Sequence, residues 1–308
     1  MIPILDLTHF HTEKKNQFVQ ELGKAYEEIG FVAIVGHGFP IELSQKLYEQ
    51  VQAFFNLDEA TKLKYRINGL AGQRGYTPFG MEHAKDRKEG DLKEFWQFGI
   101  ELSEAELEAL GYPANPDVIE LPQFKELGYQ TYNQLLSIGM DVLKAISLHL
   151  KLEEKYFDDF VVKGNSILRP IHYPPIQGEI GDAIRSAEHE DINLITLLMG
   201  ASAAGLQVKD RKGNWINVET PENALVVNVG DMLQRLTNKV LISTTHRVIN
   251  TPEARDGKSR YSIPFFLHPK SDMPLNCLKE CTLSNPAQFE DITAGQYLDE
   301  RLREIGLK

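Results

Sequence analysis

Cysteine is nearly absent: the 308 residues contain two, Cys277 and Cys281, close together near the end of the chain. Two thiols four positions apart make no disulfide framework, and no nearby second pair completes a structural zinc set. Such usage suits a reducing compartment. A basic surplus is lacking as well. Lys and Arg number 33 against 44 Asp and Glu, a formal net charge of -11. That balance argues against non-specific binding to nucleic acid or to an anionic membrane. No stretch approaches the roughly 18 consecutive apolar residues that span a bilayer, and the opening Met1-Ile2-Pro3-Ile4-Leu5-Asp6 meets an acid before any basic or long apolar segment. Internal repeats and low-complexity tracts are missing too. These absences leave a cytoplasmic protein with a small-molecule partner as the expectation, with no nucleic acid and no membrane. Hydrophobic residues at 42% and charged residues at 25% are ordinary for a packed globular chain.

The apolar pattern divides the chain into a helical part and a strand-rich part. Over residues 13–29, Phe18, Leu22, Ala25 and Ile29 recur at helical spacing, and Gly30 is placed to close the helix in the left-handed region. A short apolar run over 31–35 reads as a strand before the turn pair His37-Gly38. Leu43, Leu47, Val51, Phe54 and Phe55 then mark a second amphipathic helix. Residues 68–91, rich in Gly and charge, read as one long loop, and residues 122–152 as a third helix. After Gly164 the texture changes to short β-branched and apolar runs separated by turn clusters such as Asp210-Arg211-Lys212-Gly213-Asn214 and Asp256-Gly257. Helical character is expected to return only over 294–305. Helices first and strands later predict an α+β chain whose second half is an antiparallel sandwich or barrel, packed as one unit.

One constellation in the strand-rich half carries chemistry. In an extended His189-Glu190-Asp191, the first and third side chains share a face and can address one ion while Glu190 points away. His246 lies in a second strand-like run, residues 240–248, and can supply a third ligand. Two imidazoles and one carboxylate on one side of an ion leave adjacent positions open, as a non-haem iron needs for O₂ and a co-substrate. A His-x-Asp pair by itself is commonplace, and His246 by itself could be a core or surface histidine. Arg260-Tyr261-Ser262 adds weight, because in an extended run Arg260 and Ser262 face the same way and present a fork and a hydroxyl to a carboxylate. Arg169, Ile171 and Tyr173 alternate onto one face, which can bring a second cation to the same pocket. Phe95 and Trp96 could wall it, or could sit in an aromatic cluster. Asn228, Gly230 and Asp231 read as a turn between strands, with Asp231 a poor candidate for a fourth ligand.

In this order, His189-Glu190-Asp191, His246 and Arg260-Tyr261-Ser262 resemble the metal triad and carboxylate-binding motif of the 2-oxoglutarate and Fe(II)-dependent oxygenases, specifically the isopenicillin N synthase-like family. Flanking segments agree. Ile2-Pro3-Ile4-Leu5-Asp6-Leu7, Gly30-Phe31-Val32 with His37-Gly38, Phe54-Phe55 and Gly75-Tyr76-Thr77-Pro78 resemble its helical N-terminal region. Leu168-Arg169-Pro170-Ile171-His172-Tyr173-Pro174-Pro175, Gly205-Leu206-Gln207-Val208 and Asn228-Val229-Gly230-Asp231 resemble its catalytic core. The resemblance implies a double-stranded β-helix (jelly roll) catalytic core with a helical N-terminal region over 1–120 and the core domain with its C-terminal helix over 121–308.

It also implies Fe(II) on His189, Asp191 and His246, with 2-oxoglutarate against Arg260, Ser262 and Tyr173, and O₂ as oxidant. Arg169 and Phe95 are the candidates for contact with a small-molecule substrate. The chain departs from plant relatives in one respect, carrying Ile171-His172-Tyr173 where they have Asn-x-Tyr. Three rivals stand beside this reading: an Fe(II) oxidase of the same fold that does not use 2-oxoglutarate, a zinc hydrolase on the same triad, and a non-catalytic jelly-roll binding protein. No carboxylate or His is obviously placed as a hydrolytic general base, which weakens the second.

Overall fold

The computed structural model describes residues 1–70, 73–81, 92–175, 185–200, 205–250 and 257–304. Its architecture follows from strands that are apolar on both faces. In β2 (Phe31–Val35), Val32 and Ile34 join the main core while Phe31 and Ala33 join a second, smaller apolar cluster. A strand buried on both sides must lie between two layers. One layer is helical. α1 (Lys15–Glu28) and α2 (Ile41–Phe55) each pack on the long α5 (Phe124–His149), and all three share the main core with Leu197, Phe265 and Leu267 of the sheet. The other layer is a smaller sheet.

The larger sheet joins β1 (Ile4–Asp6), β2, β11 (Leu225–Val229), β8 (Ile195–Met199), β13 (Arg260–Leu267), β6 (Ile171–Tyr173), β4 (Glu94–Gln97) and β3 (Gly75–Thr77) in that order, with β5 (Ile167–Leu168) also paired to β13. The smaller sheet has the order β10 (Trp215–Asn217), β9 (Leu206–Lys209), β12 (His246–Val248), β7 (Ser186–His189). Val208 of the small sheet meets Phe31, Ala33 and Val226 of the large one, so the two stack as a jelly roll on a helical bed. β1 pairs with β2 in parallel and the other ladders are antiparallel. Strands from before and after residue 120 thus share one sheet. An aromatic knot ties the layers: Phe54 of α2 stacks on Phe124 of α5 at 5.3 Å and meets Trp96 of β4 edge-on at 4.9 Å.

Several expectations need correction. The stretch 68–91 was expected to be one loop, yet it contains β3, whose Tyr76 pairs with Trp96; three residues are too few to show a period of two. Within that stretch, residues 71–72 and 82–91 lie outside the described residues. Helicity returns before the C-terminus, in α7 (Asp231–Leu236), because Met232, Leu233 and Leu236 bury one face. The segment through Asn228 and Gly230 therefore leads from a strand into a helix and is not a turn between strands. In the run 240–248 only His246–Val248 is strand. Asn238 and Lys239 take positive φ of 50° and 66°, so the chain turns sharply out of α7 before it reaches β12. Short helices Glu59–Leu63, Glu104–Leu110 and Asp158–Val161, here α3, α4 and α6, also went unread, each under two turns or barely so. The C-terminal helix, α8 (Ala294–Glu304), matches its expected place. Asp256 lies outside the described residues.

One glycine links this scaffold to the site. Gly30 has φ +69° after α1, and a Cβ there would lie 2.2 Å from the Ile242 carbonyl oxygen. The approach to β12 docks at this helix end: Ile242 N donates to Tyr26 O at 3.0 Å and Thr244 Oγ1 donates to Ile29 O at 2.7 Å. A left-handed non-glycine residue costs about 1–2 kcal/mol. Gly30→Ala should lose that and also push away the segment leading to His246. Gly111, with φ +67° and open space where a methyl would go, supplies the control, since Gly111→Ala carries the conformational cost only. Urea melts should show the Gly30 variant falling further; equal losses would mean that the docked segment contributes nothing.

Candidate metal centre

Antiparallel pairing of β7 with β12 sets His189 opposite His246 in register. Their rings lie 4.4 Å apart between centroids, inclined at 53°. Asp191 follows β7 by two residues and turns back toward both. Its Oδ1 is 3.9 Å from His189 Nε2 and 3.7 Å from His246 Nε2. Among the described residues these three form the one metal-competent His/Cys/Asp/Glu group, with ligand atoms all within 4.8 Å of one another. Glu190 is turned instead toward Ser243 and Thr245.

The partners of each ligand fix which atom is offered. His189 Nδ1 lies 2.7 Å from the Ala187 carbonyl oxygen, and His246 Nδ1 lies 3.1 Å from that of Thr244. A carbonyl only accepts, so each Nδ1 carries the proton and each Nε2 keeps its lone pair. Burial, reinforced by the neighbouring His246, pushes the His189 imidazole down to about 4, so it is neutral near pH 7. Asp191 is anchored through its other oxygen: Oδ2 accepts from Thr196 Oγ1 at 2.6 Å and from Asn228 Nδ2 at 2.8 Å. Burial opposes the charge on Asp191, but the two histidines and these two donors outweigh it and hold the carboxyl below its usual range. Two imidazole nitrogens and one carboxylate oxygen therefore converge on one point. With ligand bonds of about 2.1 Å, donors up to about 4.2 Å apart can share an ion, so the separations of Asp191 Oδ1 from both imidazoles fit. A mixed N₂O set with one open side is chemistry suited to ferrous iron.

The triad opens into a cavity of about 630 Å³. Alternation builds its opposite wall. Ile167, Arg169, Ile171 and Tyr173 from the β5–β6 stretch line it, as do Arg260, Ser262, Pro264 and Phe266 of β13. Arg260 pairs across the ladder with Tyr173, and Ser262 with Ile171. The Arg260 guanidinium is buried, with Cζ 5.0 Å from the centre of the Tyr173 ring. The structure thus brings Arg260, Ser262 and Tyr173 together on the wall facing the triad.

Arg169 also faces the cavity, with Cζ 4.4 Å from the Phe95 ring centre and 5.0 Å from that of Phe266. Phe95 is not itself a lining residue. It packs beside Ile171 and Tyr173 on the face it shares with Ile171, and Trp96 belongs to the aromatic knot, because β4 turns these two side chains to opposite faces. His172 faces away too, its Nδ1 2.7 Å from Glu94 Oε1 and its ring stacked on Tyr261 at 4.8 Å.

Asp231 stands at the start of α7 outside the triad. Burial pushes its carboxyl up to about 8, and its Oδ2 accepts from Tyr297 of α8 at 2.9 Å. Sequence reasoning missed Thr196 and the role of Asn228. A single amide inside the otherwise apolar Leu-Val-Val-Asn-Val of β11 was the available signal for Asn228. It also missed His268, which continues the Phe266 alternation into the same cavity.

Comparison with known proteins agrees with this geometry. A family profile described as non-haem dioxygenase in morphine synthesis N-terminal matches residues 2–117, and that of the 2OG-Fe(II) oxygenase superfamily matches residues 164–269. The 2-oxoglutarate-Fe(II) type oxidoreductase hxnY of Emericella nidulans is 30% identical over 96% of this chain and 89% of its own. A 2OG-Fe(II) oxygenase family protein from Caulobacter crescentus superposes with a TM-score of 0.89 at 42% identity, covering 99% of both chains. A full-length Neurospora crassa protein solved in complex with alpha-KG superposes with a TM-score of 0.87 at 29% identity, over 98% of this chain and 95% of that one. Among the described residues no helix is long and apolar enough to cross a membrane. With its jelly roll, its His-Asp-His cluster and these relatives over nearly its whole length, the chain belongs to the 2OG-Fe(II) oxygenase superfamily.

Proposed function

We propose that this chain oxidises a small-molecule substrate with O₂ at a ferrous ion held by His189, Asp191 and His246, with 2-oxoglutarate converted to succinate and CO₂. One oxygen atom of O₂ ends in succinate, and the other is available to oxidise the substrate. The observation that carries this reading is the convergence of two Nδ1-tethered imidazoles and one carboxylate, anchored by two donors through its other oxygen, on a single point, facing a buried guanidinium across the same cavity. The bound ferrous ion supplies the redox chemistry that activates O₂.

The protein's own residues bind and orient. Arg260 and Ser262 hold the distal carboxylate of 2-oxoglutarate, the guanidinium fork giving two charge-assisted contacts and the hydroxyl a third. Tyr173 packs beside Arg260 and limits where that fork can point. Arg169 contributes to the substrate side, with Phe95 behind it as support. Membership of the superfamily favours 2-oxoglutarate as co-substrate over the oxidase that works without it. The N-terminal region 1–120 and the core domain 121–308 are joined through the large sheet to which both give strands, and the free cysteines accord with the cytoplasm.

Three measurements test the assignment. His189→Ala, Asp191→Ala and His246→Ala should each abolish succinate formation and stoichiometric iron binding while leaving the circular dichroism spectrum native, since a facial set of three has no spare ligand. Near-native iron affinity in any one of them would remove that residue from the centre. Thr196→Val keeps the shape but deletes a donor to Asp191; ferrous affinity should fall by about 10- to 100-fold, as measured by anaerobic titration. Arg260→Lys keeps the charge but loses the fork, and Arg260→Gln loses both. Losing a charge-assisted bond costs about 1.5–3 kcal/mol, roughly 10- to 100-fold in affinity. Anaerobic titration of 2-oxoglutarate, followed through the metal-to-ligand charge-transfer band, should show Kd rising in the order wild type, Lys, Gln with iron still bound. An unchanged Kd in Arg260→Gln would take the clamp out of the mechanism.

A further inference from the structure

Arg260 is the first residue of β13 and Tyr173 the last of β6, so the rung that joins them ends its ladder. Strand ends fray, because the last pair has no further pair to hold it. The guanidinium assigned to 2-oxoglutarate therefore stands where the backbone ladder gives out. One rung inward, on the opposite face of the same two strands, His172 pairs with Tyr261. Its side chain supplies what the ladder lacks. The ring stacks on Tyr261 at 4.8 Å and 12°, and its Nε2 lies 2.9 Å from Ser259 Oγ, so His172 holds the residues on both sides of Arg260.

The ring is itself held. Its Nδ1 lies 2.7 Å from Oε1 of Glu94, whose other oxygen accepts from Lys62 Nζ at 2.8 Å and from the Tyr76 hydroxyl at 2.5 Å. Burial opposes the charge on Glu94, but the hydrogen bonds from His172, Lys62 and Tyr76 outweigh it and keep the carboxyl below its usual range. A carboxylate only accepts, so His172 Nδ1 carries the proton, and in the neutral ring Nε2 is left to accept from the Ser259 hydroxyl. Phe55 of α2 meets the same ring at 5.3 Å. Phe55, Lys62, Tyr76 and Glu94 all precede residue 120, whereas His172, Ser259 and Tyr261 follow it. A buried ion pair often adds little stability over apolar residues of the same volume. What this one secures is the direction of the imidazole.

We propose that His172 is a positioning residue for the co-substrate: anchored on Glu94, it pins Ser259 and Tyr261 and so fixes how Arg260 presents its fork to the distal carboxylate of 2-oxoglutarate. The proposal rests on the reading that Arg260 takes that carboxylate. Through Glu94, the N-terminal region then contributes to co-substrate binding from behind the cavity wall. A fork left free to turn keeps its charge but gives up one of its two contacts, so 2-oxoglutarate binding weakens while the metal centre is untouched.

The test uses the full chain with Fe(II) and 2-oxoglutarate. His172→Phe keeps a ring on Tyr261 and removes both bonds, and Ser259→Ala removes the outer bond alone. Anaerobic titration through the charge-transfer band should show the Kd for 2-oxoglutarate rising about three- to tenfold in Ser259→Ala, the range expected for one lost hydrogen bond, and at least as far in His172→Phe. Ferrous affinity in both should stay within about twofold of wild type. Because the two substitutions share one bond, the double variant should bind 2-oxoglutarate no more weakly than His172→Phe, whereas independent effects would multiply. A ring that only stabilises the fold would lower the urea midpoint and leave Kd within about twofold of wild type in both single variants. That result overturns the proposal, as do effects that multiply in the double variant, or ferrous affinity falling in step with 2-oxoglutarate affinity. If His172→Phe does not fold, the Kd of Ser259→Ala decides alone. An unchanged Kd in Arg260→Gln, titrated in parallel, would instead overturn the reading of Arg260.

Discussion

The site depends on one strand pairing. Because β7 and β12 run antiparallel with His189 opposite His246, two imidazoles arrive at the same place from segments 57 residues apart in sequence, each already committed through Nδ1 to a backbone carbonyl. That commitment leaves only Nε2 to face inward. The large sheet completes the centre by holding Asp191 through Thr196 of β8 and Asn228 of β11, so both layers of the jelly roll meet at the triad. A slip of one residue in the β7–β12 register would turn one histidine to the opposite face. The helical bed matters for the same reason, since the end of α1 docks the segment that leads into β12.

The opposite wall uses the same device of alternation. On β13 the residues Ile263, Phe265 and Leu267 go to the helices, while Arg260, Ser262, Pro264 and Phe266 go to the cavity. A single strand thus anchors the sheet to its core and carries both polar and apolar lining. Its neighbour β6 does likewise, with Tyr173 inward and His172 outward against Tyr261. Ile171, which stands where the plant motif has asparagine, lines the cavity, while His172 belongs to a buried network with Glu94 and Ser259.

Much of this was legible in the sequence because it rests on short-range periodicity. Helical spacing in α1, α2 and α5 and the spacing of two in Arg260-Tyr261-Ser262 are local patterns, and they placed the helices and set Arg260 and Ser262 on one face. His189, Asp191 and His246 could be proposed from type and spacing, with the family resemblance joining them. What escaped depends on contacts between distant segments. β3 exists because Tyr76 finds Trp96, α7 because its apolar residues find the core, and the anchoring of Asp191 because Thr196 and Asn228 come from two other strands. Phe95, read as either a pocket wall or part of an aromatic cluster, packs with Ile171 and Tyr173 against the Arg169 guanidinium, a placement that alternation in one strand cannot give without knowing what covers each face.

The central claim is that one ferrous ion sits on His189, Asp191 and His246 with 2-oxoglutarate reaching from it to Arg260. Anomalous diffraction at the iron edge from crystals grown anaerobically with Fe(II) and 2-oxoglutarate tests both parts at once. The account predicts a single iron peak bonded to Nε2 of His189, Nε2 of His246 and Oδ1 of Asp191, with the distal carboxylate of 2-oxoglutarate on the Arg260 guanidinium. Iron bound through any other set of protein atoms, or 2-oxoglutarate lying with neither end at Arg260, would contradict it.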